Sequence, residues 1–241
     1  MNTPYKTYMN WSSGKDASMA LHALMQNQHY TVDRLLTSIN SHHNRVSMHG
    51  LRRTLLMAQA NAIGLPLQTI ELPESPDMET YNAAMQQTVS ELTNQGYTHC
   101  GFGDIFLEDL KDYRVAQLKP YGIECQFPLW KKDTKALIQD FIVAGFKAIV
   151  VCINANVLDA SFVGRTIDAD FVNDLPEGVD PCGENGEFHT FCYDGPVFQH
   201  PVAFTIGEKV YRTYDNPQPE EEGPEKYGFW FCDLIPDEVR V

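Results

Sequence analysis

The sequence predicts an α/β protein in which a doubly wound parallel sheet is followed by a smaller C-terminal α+β domain. In residues 1–153, short apolar stretches alternate with longer stretches of helical periodicity. A turn of small residues at 12–14 joins the first apolar stretch directly to the first helical one. From residue 154 onward, short segments of alternating apolar and polar residues replace the helical periodicity. The predicted domains are therefore residues 1–153 and 154–241.

Apolar, β-prone stretches predict the strands of the first domain at residues 5–11, 35–39, 67–72, 97–102 and 148–153. The predicted helices are 15–28, one that carries Leu51 to Ala62 and ends at Gly64, one from Ser75-Pro76 to Gly96, 109–118, and one from Asp133-Thr134 to Gly145. Repeated βα units imply parallel pairing of the strands. The continuous apolar run at 148–153 fits a strand of that sheet covered on both faces.

The second domain is predicted to be richer in strands. A short helix at 160–163 and a long irregular stretch at 173–186 come first. Predicted strands follow at 187–193, 202–205, 209–213 and 228–233, with a turn at 206–208. The acidic, proline-rich segment 216–225 is predicted to be a mobile surface loop.

Composition and charge limit the function classes. The formal net charge of −14 argues against an extended nucleic-acid contact, which needs a clustered basic surface. Arg45, Arg52 and Arg53 form a local basic group, for which we favour a solvated helix face. No apolar run is long enough to cross a bilayer, and the N-terminal residues lack a secretory pattern. The six scattered cysteines, without a C-x-x-C pair, indicate reduced buried thiols, so we expect a cytoplasmic protein.

The N-terminal turn has the sequence Met9-Asn10-Trp11-Ser12-Ser13-Gly14-Lys15-Asp16-Ala17. Small residues let backbone N–H groups contact phosphate oxygens, the following helix N-terminus is partly positive, and Lys15 adds a full charge. The spacing is not that of a Walker A loop. The turn resembles the pyrophosphate-binding PP-loop, Ser-Gly-Gly-x-Asp-Ser, of N-type ATP pyrophosphatases, with Ala17 in place of the final Ser. An ordinary βα turn with a capping residue is the alternative.

Three segments follow the ends of predicted parallel strands: residues 12–14, 38–40 and 103–104. Ligands of doubly wound folds bind at the carboxyl ends of the strands. We therefore expect these three segments to border one crevice.

A second motif lies in the C-terminal domain, with the sequence Glu177-Gly178-Val179-Asp180-Pro181-Cys182-Gly183-Glu184-Asn185-Gly186-Glu187-Phe188-His189-Thr190. Interleaved glycines and carboxylates indicate a sharply turning loop that closes on a ligand. Together with the PP-loop, this motif resembles the diphthine–ammonia ligase family, also described as adenine nucleotide alpha hydrolases. Gly103-Asp104-Ile105, Arg114 and the segment 158–165 also resemble family positions. The resemblance covers nearly the whole chain and implies a Rossmann-like fold of the adenine nucleotide alpha hydrolase type.

The resemblance implies an ATP-dependent amide-forming ligase that uses Mg²⁺. A carboxylate attacks the α-phosphorus of ATP, pyrophosphate leaves, and ammonia then displaces AMP from the acyl-adenylate. The family's acceptor is diphthine on elongation factor 2. The implied partners are therefore ATP, ammonia and a carboxylate acceptor, with an ATP-binding first domain and a substrate-binding second domain.

The resemblance also implies site residues. Those for the nucleotide are Ser12, Ser13, Gly14, Lys15, Asp16, Ser38, Ile39, Asn40, Gly103, Asp104 and Arg165. Those for the acceptor and ammonia are Gly183, Glu184, Asn185, Gly186, Glu187 and His189. The catalytic candidates are Lys15, which complements phosphate charge, Asp16, which acts through Mg²⁺ or caps the loop, and Glu184 and Glu187.

Some roles stay open at this stage. Either Glu184 or Glu187 takes a proton from ammonium, and the sequence does not rank them. Asp104 is a candidate ligand for Mg²⁺ or a helix-capping residue. Arg165 is a phosphate clamp or a member of a surface ion pair.

Three other functions compete with ligation on diphthine. The first is the same adenylylation chemistry on a small-molecule carboxylate, such as one in corrinoid salvage. The second is a tRNA-modifying PP-loop enzyme, which the acidic charge disfavours. The third is a non-catalytic nucleotide-binding protein, which has no need for a second acidic loop.

Overall fold

The computed structural model describes residues 3–46, 50–215 and 226–237. Its strands are β1 (Tyr5–Asn10), β2 (Tyr30–Asn40), β3 (Arg45–Val46), β4 (Leu67–Leu72), β5 (His99–Gly101), β6 (Glu124–Gln126), β7 (Lys147–Asn154), β8 (Phe188–Asp194), β9 (Phe204–Asp215) and β10 (Lys226–Pro236). Its α-helices are α1 (Lys15–Gln26), α2 (Arg53–Ile63), α3 (Met78–Asn94), α4 (Glu108–Leu118), α5 (Thr134–Val143) and α6 (Ala169–Asp174).

The larger sheet has the doubly wound topology expected from the repeated βα units. Its strand order is β3-β2-β1-β5-β6, and β4 also pairs with β2. The pairs β1–β2, β2–β4, β1–β5 and β5–β6 are parallel, and only the short β3 runs antiparallel to β2. The chain moves from β1 toward β4 and then returns to the other side of β1. The crevice between the carboxyl ends of β1 and β5 is thus the topological switch point, where such folds bind ligands.

The smaller sheet is antiparallel, with the order β8-β7-β10-β9. It corrects one expectation, because β7 does not extend the parallel sheet. Ile149 pairs with Phe191 of β8, and Ile153 pairs with Trp230 of β10. Residues 148–153 are all buried, and a continuous apolar run reports such burial without reporting strand direction.

The two sheets share a hydrophobic core. One cluster of buried side chains combines Leu21 of α1, Leu55 of α2, Val150 of β7 and Phe191 of β8. A second cluster lies under α3 and α4 and includes Tyr97. The division of the chain at residues 153/154 stays a prediction.

Several local elements differ from those expected. Residues 160–163 form turns, and residues 206–208 lie within the continuous strand β9. Helix α3 begins at Met78 rather than at Ser75-Pro76, and the carboxylate of Asp77 caps it by accepting a hydrogen bond from Thr80 N at 2.7 Å. The short strands β3 and β6 and the helix α6 were not predicted. Segment 216–225 lies outside the described residues.

Other expectations agree with the structure. The helix predicted to end at Gly64 does so, and the carboxylate of Asp133 caps α5. All six cysteines are free thiols, and only Cys125 among them is not fully buried.

The interpretation of Arg45, Arg52 and Arg53 as a solvated helix face is wrong, because Arg45 lies in β3 and Arg52 precedes α2. Arg45 and Arg52 share an ion pair with Asp233, and Arg53 pairs with Glu71.

No helix in the part of the chain that the structure describes has the length and apolar character needed to span a membrane.

Candidate active site

An open cleft of about 220 Å³ lies at the switch point of the parallel sheet. Three segments contribute to it: the turn after β1, the segment after β5, and the turn before β8. Predicted site residues that line it are Ser12, Gly14, Lys15, Asp16, Gly103, Asp104, Gly183, Glu184, Gly186 and His189. The structure therefore brings the two sequence motifs together, although about 170 residues of chain separate them.

Hydrogen bonds with β8 and α2 hold the turn after β1 in place. Cys192 N donates to Ser13 O at 2.9 Å, and Lys15 N donates to Thr190 Oγ1 at 3.0 Å. Gln59 Nε2 also donates to Ser13 O, at 2.9 Å. Gly14 is the N-cap of α1 and has no side chain that could accept a hydrogen bond from the N–H groups of the first turn. The partly positive N-terminus of α1 therefore borders the cleft.

Gly103 faces this turn at a distance that excludes a side chain. A Cβ atom at this position would lie 2.8 Å from both Ala17 N and the carbonyl carbon of Asp16. Glycine is therefore required for the segment after β5 to pack against the N-terminus of α1.

Ser13 adopts a left-handed backbone conformation, with φ of 73°. Its side chain is fully buried, and its hydroxyl has no hydrogen-bond partner among the described residues. The PP-loop that this turn resembles has glycine at this position, and that difference is the sequence signal of a strained Ser13.

We expect Ser13→Gly to raise the free energy of unfolding by about 1 kcal/mol. A left-handed backbone costs a non-glycine residue about 1–2 kcal/mol, and this cost disappears with glycine. Glycine also increases the conformational entropy of the unfolded chain, which lowers the stability gain by about 0.4–1 kcal/mol. Urea denaturation measures the change. Ser12→Gly is the matched control, since Ser12 has no positive φ, and it is expected to lower stability. Equal destabilisation by both substitutions would contradict the assigned strain.

Lys15 places a buried positive charge at the floor of the cleft. Its side chain is only 3% exposed, and Nζ donates to Asp16 Oδ1 at 2.8 Å and to Asp16 Oδ2 at 2.7 Å. Nζ also donates to the carbonyl oxygen of Cys182. Burial alone lowers the pKa of Lys15, but the adjacent Asp16 outweighs this effect and the pKa is raised. Lys15 is therefore charged at neutral pH.

Glu184 is a carboxyl group suited to proton transfer near neutral pH. Burial and the nearby Asp16 charge raise the pKa of Glu184, and the hydrogen bond from Ile105 N lowers it. The net result is a pKa of about 7. That bond to Glu184 Oε1 measures 2.7 Å. Gly183, with φ of +70°, sets the turn before Glu184, and a Cβ there would lie 2.9 Å from Phe188 O.

Glu187 has a different position, although it was an equal candidate from the sequence. It is 5% exposed and is not among the residues that line the cleft. Its Oε1 atom accepts from Asp180 N at 3.1 Å and from Asn185 Nδ2 at 3.0 Å. Asp180 Oδ2 in turn accepts from Glu184 N at 2.9 Å. Glu187 and Asn185 thus brace the turn that carries Glu184.

We expect Glu187→Ala to lower the free energy of unfolding by about 2 kcal/mol, because two donors inside the turn lose their acceptor. Chemical denaturation measures the loss. Glu177→Ala is the matched control, since Glu177 is exposed in the same segment, and its effect should stay within about 0.5 kcal/mol. Similar effects of the two substitutions would exclude the bracing role.

His189 lines the cleft as a neutral imidazole at physiological pH. Burial, helped by the Lys15 charge, lowers the pKa of His189 to about 4. His189 therefore adds no positive charge to that of Lys15.

Asp104 and Arg114 form an ion pair at the cleft wall. Arg114 Nε donates to Asp104 Oδ1 at 2.9 Å, and the guanidinium lies 4.7 Å from the ring centroid of Phe102.

The interpretation of Asp104 as the cap of α4 is wrong, because Leu107 occupies that position without a capping side chain. From the sequence, Arg114 is identified only by its resemblance to a family position. Arg114 lies on the first helix after Asp104, and that sequence position could have predicted a cation in the cleft.

The donors in the cleft fit a Mg²⁺ ion that is held partly by a bound nucleotide. Mg²⁺ in nucleotide sites takes one or two carboxylates, phosphate oxygens and water. Asp16 and Asp104 both line the cleft and supply such carboxylates. Within the described ranges, no cleft residues form a three-ligand cluster that could hold an ion without the nucleotide.

Other predicted residues are not brought to the cleft. Residues 38–40 end β2 at the same edge of the sheet, but they are not among the lining residues. Arg165 Nη2 forms an ion pair with Asp174 at 2.8 Å, and its guanidinium stacks on Phe162 and Phe171. This geometry matches the surface ion pair that was the alternative to a phosphate clamp.

Fold and cleft together define a doubly wound α/β protein with a phosphate-loop-like turn and a smaller C-terminal sheet. Comparison with known protein families narrows this class. Residues 5–117 match the diphthamide synthase N-terminal domain, and residues 133–216 match the diphthamide synthase C-terminal domain. The chain belongs to the diphthamide synthase family, as the resemblance of its motifs predicted.

Similar curated proteins are named diphthine–ammonia ligase. The chain is 32% identical over 115 residues to the protein from Danio rerio. The aligned region covers 44% of this chain and 45% of the relative. It is 29% identical over 115 residues to the Homo sapiens protein, covering 45% and 43% of the two chains. Identity to the Schizosaccharomyces pombe protein is 30% over 96 residues, covering 38% and 16%. The chain thus spans less than half the length of these relatives.

Proposed function

We propose that this protein is an ATP-dependent carboxylate–ammonia ligase that forms AMP and pyrophosphate. The observation that carries the proposal is the pairing, in one cleft, of a charged buried lysine at a helix N-terminus with a carboxyl group of pKa about 7. The first feature suits polyphosphate binding, and the second suits proton transfer from ammonium. The names of the similar curated proteins support the same chemistry.

The β- and γ-phosphates of ATP are proposed to bind at the N-terminus of α1. The N-terminus of α1 supplies backbone N–H donors and partial positive charge, and the Lys15 ammonium adds a full charge, although its own N–H groups are directed to Asp16 and Cys182 O. Arg114, which also lines the cleft, would stabilise charge that develops on the leaving pyrophosphate. Bound Mg²⁺, held by Asp16 or Asp104 together with phosphate oxygens, would neutralise part of that charge.

The proposed reaction has two displacements. A carboxylate oxygen of the acceptor bonds to the α-phosphorus, and the bond from that phosphorus to the bridging oxygen breaks, so that pyrophosphate leaves with the electron pair. Ammonia then bonds to the acyl carbon, and AMP leaves with the electrons of the acyl–oxygen bond. Glu184 takes the proton that ammonium must lose to become a nucleophile. Glu184 lines the same cleft as Lys15, and its Oε1 accepts from Ile105 N in the segment after β5.

The proposed acceptor is diphthine on elongation factor 2. The names of the similar proteins support diphthine as the acceptor, and the match to both domains of the family extends that support across residues 5–117 and 133–216. We also propose a cytoplasmic location, because six free thiols suit a reducing compartment.

The test combines the protein with ATP, Mg²⁺, ammonium and elongation factor 2 that carries diphthine. AMP, pyrophosphate and the conversion of acid to amide on the factor are measured together. All three products are expected in equal amounts. If AMP forms only with a small-molecule carboxylate, including a corrinoid acid, the proposed ligase chemistry stands and diphthine is excluded as the acceptor. Tight ATP binding without AMP would favour the non-catalytic alternative.

A further inference from the structure

Two loops outside the cleft bring three metal-ligating side chains together. His42 and His43 follow β2, and Glu74 follows β4, at the same edge of the parallel sheet. His43 Nε2 lies 3.1 Å from Glu74 Oε1, and His42 Nε2 lies 3.9 Å from Glu74 Oε2. One ligand atom from each residue fits within 4.8 Å of the other two. Nothing in the proposed ligation reaction uses these residues.

Local hydrogen bonds hold the two loops in register. Asn40 Nδ2 donates to Glu74 O at 3.1 Å, and Asn40 Oδ1 accepts from His43 N at 3.0 Å. Ser41 adds two bonds, from its backbone N and from Oγ, to Leu72 O at 2.8 and 2.9 Å. The backbones that carry the three side chains are therefore fixed, and only side-chain rotation is needed to adjust the ligand atoms.

The spacing and chemistry of the three groups suit one transition-metal ion. Nitrogen and oxygen ligands about 2.0–2.1 Å from a tetrahedral Zn²⁺ ion are separated from each other by about 3.3 Å. The distances from Glu74 to His43 (3.1 Å) and to His42 (3.9 Å) lie on either side of that value. Two imidazoles with one carboxylate form a ligand set typical of Zn²⁺, and they leave a further position for water. In the described part of the chain, no lysine or arginine forms an ion pair with Glu74 that would compete with a metal ion.

We propose that His42, His43 and Glu74 form a binding site for a divalent transition-metal ion, of which Zn²⁺ is the best fit. A bound ion would join the loop after β2 to the loop after β4 at the rim of the sheet. Because the ion binds only the folded arrangement, it would stabilise the fold in proportion to its free concentration.

The test uses the full chain after treatment with a chelator. Zn²⁺ is titrated by calorimetry, and Co²⁺ is titrated in its place by visible absorption, which reports the ligand set. We expect one ion per chain and a Co²⁺ spectrum of nitrogen and oxygen ligands. His42→Asn and Glu74→Gln should each weaken binding at least tenfold. His29→Asn and His200→Asn, at other exposed histidines, should leave binding unchanged.

Two results would overturn the proposal. One is binding that His42→Asn and Glu74→Gln leave as tight as in the unaltered chain. The other is a Co²⁺ spectrum with a sulfur-to-metal band, which would place the ion on cysteine. Since all three proposed ligands are exposed, their substitution should not alter the fold, and circular dichroism of the variants checks this.

Discussion

Lys15→Ala is expected to reduce AMP formation by at least about 10²-fold and to lower the free energy of unfolding by about 3 kcal/mol. The first effect follows from the loss of a charge beside the phosphates, which comes from a side chain that is only 3% exposed. The second follows because Asp16 and the carbonyl of Cys182 lose their shared donor, and a buried pair that loses one partner costs about 3–5 kcal/mol. The fold itself should persist. Pyrophosphate release and denaturant unfolding measure the two effects.

Lys147→Ala is the matched control for this experiment. Lys147 also pairs with a carboxylate, Asp194, at 2.9 Å, but its side chain is 56% exposed. Exposed ion pairs contribute about 1 kcal/mol or less, so its loss should change stability little and AMP formation not at all. Unchanged AMP formation in Lys15→Ala would remove the turn after β1 from the reaction. Equal stability losses in the two variants would contradict the burial of Lys15.

The ligation rate of the unaltered chain is expected to rise as pH increases through about 7, and Glu184→Gln is expected to remove that rise. A carboxyl group with that pKa is protonated at lower pH and cannot accept a proton from ammonium. The glutamine variant cannot accept it at any pH, so its rate should fall about 10²-fold above pH 7. Rates must be compared at a constant concentration of free ammonia, because ammonium itself titrates. Glu177→Gln is the control and should keep the full pH profile.

The same substitution has a predicted effect on stability. Because the pKa of Glu184 is raised from 4.5 to about 7, the folded chain keeps a proton that the unfolded chain loses between these values. Folding stability from this group is therefore present below pH 4.5 and declines as pH rises to about 7. Glu184→Gln removes that decline, so the variant gains stability relative to the unaltered chain between pH 4.5 and 7. A stability difference that does not change with pH would show that Glu184 titrates normally.

The local features of the first domain were predictable because their causes are local. Helical periodicity with Gly64 at one end defined α2, and the turn at 12–14 between an apolar strand and a helix defined the start of α1. By contrast, the stretch at 160–163 has helical spacing but forms turns, because packing against the sheets outweighs a weak local preference. At the expected turn at 206–208 the chain does not reverse: residues 207 and 208 form an irregularity in the pairing with β10, and the pairs on both sides of it keep β9 one strand.

The sequence by itself determined the family, the parallel doubly wound sheet and the two motifs, since each rests on residue types at short, fixed spacing. Only the tertiary structure decided which sheet β7 joins, that Arg114 pairs with Asp104, and that Glu184 rather than Glu187 faces the cleft. The physical reason is distance along the chain. Lys15 and the carbonyl of Cys182 are 167 residues apart, and neither their contact nor the burial that shifts nearby pKa values leaves a local trace in the sequence.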